Sequence, residues 1–124
     1  MVYDMMIGEK VLQSGEGTVN VSVTRVEHPD APNCLPLTGK RNFRSAPYLG
    51  WEEFAEQVNL SDLLLPAGDR GHVELEQQHL DQVVAARTAY VDKTHYNYTD
   101  RLAWLEFWMQ WALTNCNNPI FKIS

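Results

Sequence analysis

Lys40, Arg41 and Arg44 stand close together in an acidic chain that has only ten basic residues, and Tyr48 and Trp51 follow at once. A guanidinium is a flat fork of donors that fits a carboxylate or phosphate two bonds at a time, and an aromatic face accepts a flat ligand. Arg41, Arg44, Tyr48 and Trp51 therefore predict a site for a small anionic ligand, flat or partly aromatic. It would lie between residues 40–51 and a tryptophan-bearing helix that contributes Trp104. A helix read over 51–58 would add free amides at its start. Glu52 and Glu53 oppose that placement, because they already sit at the positive helix end. The competing reading is a surface loop pinned by its aromatic residues, with the arginines paired to acidic groups elsewhere.

His79 and Arg87 are a second set. His79 projects from the apolar side of a helical pattern. It is either a core histidine satisfied by hydrogen bonds or a base lining a pocket. Arg87 lies two turns on, either lying over apolar surface or reaching toward a ligand. Glu76-x-x-His79 has the spacing of half a carboxylate-bridged di-iron site, but no second pair accompanies it. Cys34 and His28 share one proline-rich stretch without a further group to orient them. No nucleophile elbow, dinucleotide fingerprint or phosphate loop occurs, and no His/Cys set has metal spacing, so neither metal nor cofactor is expected.

These side chains need elements to hold them. Residues 98–116, YTDRLAWLEFWMQWALTNC, are the strongest. On a helix, Trp104, Phe107, Trp108 and Trp111 share an arc of roughly 100°, and Leu102, Leu105, Met109, Ala112 and Leu113 fill the next. Such a helix, read over 99–115, belongs at the centre of the fold, its aromatic arc either core or facing a partner or ligand. Residues 74–91 read as a second long helix, antiparallel to the first because the connection is short. Trp51, Phe54, Ala55 and Val58 make 51–58 a short amphipathic helix, and Ser61-Asp62 starts one further turn. Val19, Val21 and Val23 alternate with polar residues, so 18–26 reads as a strand with one wet face. Its partners are sought in residues 8–13, across the turn at 14–17, and in 120–124. Four prolines make 27–49 a long irregular stretch. Residues 1–16 read as a candidate peripheral N-terminal segment.

The expected fold is α+β: a small antiparallel sheet around 18–26 packed with two long antiparallel helices and one short one. A mainly helical domain with one hairpin is the alternative. At 124 residues the chain predicts one domain, and its formal charge of −6 argues against general nucleic-acid binding. The N-terminus lacks a basic start and an apolar run, so a cytoplasmic protein with both cysteines, Cys34 and Cys116, free is expected, without a membrane span. The functional expectation is a small binding module, homodimeric, contacting a protein partner or a small anionic ligand. An enzyme with a dispersed site around His79, Arg44 and Trp51, and an assembly subunit without chemistry, are the alternatives.

Overall fold

The computed structural model describes residues 2–15, 17–32, 40–66, 71–90 and 96–124. Its organising strand is β1, Val2–Gly15, which pairs antiparallel with three others. Val2–Gly15, within the segment read from sequence as a candidate peripheral one, thus supplies the centre of the sheet. The signal is weak because β1 is not uniformly alternating: Met5 and Ile7 face the core, while its second half is largely exposed. That half forms a hairpin with β2, Thr18–Val23, in register Lys10↔Val23 to Gly15↔Thr18. Gly17, at φ 74, takes the left-handed turn conformation that a side chain disfavours.

The prolines of 27–49 do not prevent a strand. β3, Phe43–Pro47, pairs with β1 from Val2↔Pro47 to Met6↔Phe43. Pro47 is tolerated because it ends the strand. β4, His72–Glu74, and β5, Pro119–Ile123, complete the order β2-β1-β5-β4, with β3 paired to β1 off that path. The C-terminal strand expected from sequence exists, but its partners are β1 and β4 rather than β2.

Where β1 passes from β3 to β2, Asn42 closes the junction. It is 1% exposed. Its Oδ1 accepts from the Val26 amide at 2.9 Å, and its Nδ2 donates to the carbonyls of Ile7 and Thr24 at 2.9 and 2.8 Å. Its backbone bonds Ile7 and Val26 as well. Gly8 makes room for this: a Cβ there would stand 3.0 Å from Asn42 Nδ2 and 3.1 Å from Val23.

The helices are α1 (Tyr48–Gln57), α2 (Ser61–Leu64), α3 (Gln77–Ala89) and α4 (Tyr96–Asn115). α1 ends in a Schellman arrangement: Leu60 N donates to Ala55 O and Asn59 N to Glu56 O, with Asn59 at φ 59. α3 begins three residues later than the periodicity suggests, because His72–Glu74 pairs with β5 first. α3 and α4 are antiparallel, since Tyr90 meets Tyr98 and Arg87 meets Glu106. Trp104, Trp108, Leu105 and Met109 of α4 join Met5, Ile7, Phe121 and Ile123 of the sheet in one core, with Trp51, Phe54 and Leu64 beside them. The architecture is α+β, as the sequence predicts.

Candidate functional site

Pro47 is the N-cap of α1. It brings no side-chain acceptor, and no side chain caps the amides that follow. The helix starts at Tyr48, three residues before the sequence-based start. Glu52 and Glu53 therefore fall beyond the first turn, which holds no acidic residue. The objection they raise to an anion at this helix end thus loses its geometric basis. Glu52 is instead engaged by the Tyr3 hydroxyl at 3.0 Å. Gly50, in that first turn, has only Arg101 Nη2 at 3.8 Å and Pro47 at 4.0 Å near the place a Cβ would fill. The helix start is left uncrowded.

Arg101 of α4 lies against this turn. It is 8% exposed. Nη1 donates to the Gly50 carbonyl at 3.1 Å, and the guanidinium sits 5.6 Å from the Trp51 ring centroid and 5.3 Å from that of Phe54. Nε is buried without a hydrogen-bond partner, and no carboxylate among the described residues pairs with the group. Burial pushes the guanidinium below its ordinary value, and the Tyr98 phenol pulls it partly back. Burial is also the main reason the Tyr98 hydroxyl is raised, reinforced by Glu53 and Tyr90 and opposed by Arg101. A buried cation held by aromatic faces, one carbonyl and uncapped amides nearby can receive an anion at little further desolvation cost. Sequence reasoning missed Arg101. The signal was there: at ~100° per residue it falls ~20° from Trp108, in the middle of the apolar side of the helix.

The residues expected to form a site divide among several places. Arg44, on β3, is buried with its guanidinium 5.5 Å from the Trp104 ring centroid, while Trp104 Nε1 donates to the Arg41 carbonyl at 2.8 Å. Arg41, Arg44 and Trp104 are thus one cluster under β3. The Arg41 side chain leans on Phe43 and meets Glu27 at 3.3 Å. Tyr48 opens α1 and packs on Tyr3, ring centroids 4.3 Å apart. Trp51 is fully buried and donates to the Leu64 carbonyl at 3.2 Å. His79 is half-buried in the first turn of α3, and its Nδ1 accepts the Glu76 amide at 2.9 Å in a capping box. The Glu76-x-x-His79 pattern is therefore a helix start. His79, Arg44 and Trp51 each have a separate local task. Cys34 lies outside the described residues.

A concavity runs between α3 and α4, with a volume near 610 Å³. Phe107 and Trp111 line it from α4, Val84 and Arg87 from α3, and His28 from the 27–32 segment. Arg87 is paired with Glu106 on its rim. The aromatic arc of α4 is thereby divided: Trp104 and Trp108 are core, whereas Phe107 and Trp111 are half-buried along this groove.

Among the described residues no group of three or more His, Cys, Asp or Glu is placed to hold a metal ion. No described helix is long and apolar enough to cross a membrane. Comparison with protein-family models, with curated proteins and with solved structures gives no significant match.

Proposed function

We propose that this protein is a small binding module that takes a small anionic ligand, a carboxylate or a phosphate, at the start of α1. The observation that carries the reading is Arg101, a buried guanidinium with no carboxylate partner among the described residues, set against a helix start that has no side-chain cap. Arg44 lies over Trp104 one turn further along α4 and adds a second buried cation in the same quarter of the fold. Tyr48 offers an aromatic face beside the free amides. A cytoplasmic homodimer suits the same surface. Val2 and Leu49 are 49% and 81% exposed, and the pairing of Val2 with Pro47 places them at one end of the sheet, where a second copy or another protein would cover them. Sedimentation at micromolar concentration checks that part, since a strictly monomeric species would remove it.

The ligand reading is tested by melting the protein in inorganic phosphate, acetate and citrate against chloride at matched ionic strength. A ligand of the native state at ten times its Kd adds about 1.4 kcal/mol. The expected result is stabilisation by at least one of these anions beyond chloride, lost in Arg101→Met and weakened in Arg101→Lys, whose point charge cannot reproduce the planar fork. Equal stabilisation of wild type and Arg101→Met would refute the assignment.

A further inference from the structure

The groove between α3 and α4 is chemically unlike the start of α1. We infer that it is a second, independent binding site, for a neutral planar heteroaromatic molecule. Its volume, near 610 Å³, lies within the roughly 300–1,000 Å³ of small-molecule sites. Phe107 and Trp111 form an aromatic floor one turn apart, and both are backed by buried Trp108. The Trp108 ring meets Phe107 at 5.1 Å and Trp111 at 5.4 Å in edge-to-face geometry. A floor braced this way is preorganised for stacking.

The wall opposite is also fixed. His28 N donates to the Lys40 carbonyl at 3.0 Å, Lys40 Nζ to the Pro29 carbonyl at 2.6 Å, and the His28 ring stands 5.4 Å from Phe107. His28 Nδ1 accepts from the Asp30 amide at 3.1 Å, so the neutral ring carries its proton on Nε2 and keeps that donor for a ligand.

The charges of the groove select against an anion. Arg87 is consumed by Glu106, and Asp30 stands on the same lining as His28. An anion entering would give up hydration, meet the Asp30 carboxylate and find no uncommitted cation among the described lining residues. A neutral ring with a donor–acceptor edge loses less, stacks on Phe107 and Trp111, and finds hydrogen-bonding groups in His28 and the amide of Gln110.

The part of the tryptophan emission that is lost in Trp111→Phe gives a readout of this site. Trp51, Trp104 and Trp108 are fully buried, and Trp111 alone of the four is half-exposed. The probes are adenine, benzimidazole and nicotinamide at millimolar concentration, with sodium phosphate as the contrasting anion. The expected result is saturable quenching by at least one heteroaromatic probe, and no Trp111-dependent quenching by phosphate. The quenching disappears in Trp111→Phe. Binding weakens at least about tenfold in Val84→Glu, which blocks the groove at a residue 40% exposed and leaves the core intact. Methyl chemical shifts of Val84 and Leu80 verify occupancy in Trp111→Phe, where emission no longer reports. The inference is overturned if no probe produces a saturable change, or if Val84→Glu binds like wild type. Arg101→Met leaves this quenching unchanged, so the two sites fail or stand separately.

Discussion

Asn42 and the four tryptophans show how much a single side chain decides. Asn42→Leu would leave the Val26 amide and the Ile7 and Thr24 carbonyls without its side chain. At about 1–3 kcal/mol for a stranded buried group, a loss of about 3 kcal/mol or more is expected in denaturant melts. Trp108→Ala should cost about 3–5 kcal/mol, the range for a large core aromatic. Phenylalanine replacements separate packing from hydrogen bonding. Trp104 Nε1 holds the Arg41 carbonyl, whereas Trp108 Nε1 is buried without a partner. Trp104→Phe should therefore be worse than Trp108→Phe by about 1 kcal/mol; equal losses would show that the orphaned indole carries no penalty. The Cys116 thiol is raised by burial and by Glu9. Below pH 9.0, its ordinary value, the thiol is protonated folded and unfolded, and its contribution is fully present. As pH rises past 9.0 the unfolded state ionises first, so stability falls until the folded thiol also ionises. The raised Tyr98 hydroxyl adds a loss of the same sign from pH 10.0. Cys116 should accordingly alkylate more slowly in native than in denatured protein at pH 8.5, a ratio that native and denaturing thiol titrations measure.

At the scale of elements, what was legible and what was not follow from where the information resides. The strong periodicity of α4, of 51–57 in α1 and of the 74–91 reading, realised as α3 over 77–89, survives because apolar spacing records a face toward one core. The strand read over 18–26 is equally plain, though it ends at Val23. β1 and β3 are not. Strand pairing is a long-range property, and Val2–Gly15 combines a buried half with an exposed half, so no single alternation runs through it. Phe43–Pro47 hides among prolines because only its paired edge needs amides. The start of α1 moved for a related reason: a helix may begin outside its apolar stripe, and Tyr48, Leu49 and Gly50 carry no inward pattern. That shift relocates the acidic residues relative to the helix end, and with them the case for an anion. Asn59 offers a check on the other end of α1. It holds a left-handed conformation that glycine adopts freely, so Asn59→Gly should raise stability slightly and Asn59→Val should lower it by about 1 kcal/mol.

For the whole molecule, the sheet and helices hold two buried arginines against indole rings in a chain whose formal net charge is −6. Such cations do not optimise stability, since similar apolar side chains would avoid their desolvation. Arg101→Met should melt within about 1 kcal/mol of wild type, because the lost aromatic and carbonyl contacts roughly offset the relieved burial. That outcome would leave Arg101, beside an uncapped helix start, free for the proposed anion site. Amide chemical shifts of Leu49 and Gly50 during titration with inorganic phosphate address this directly, because those amides would touch the anion. Saturable downfield shifts at both in wild type, absent in a folded Arg101→Met, are the predicted result. Shifts of equal size in the variant, or none in wild type, would contradict the account.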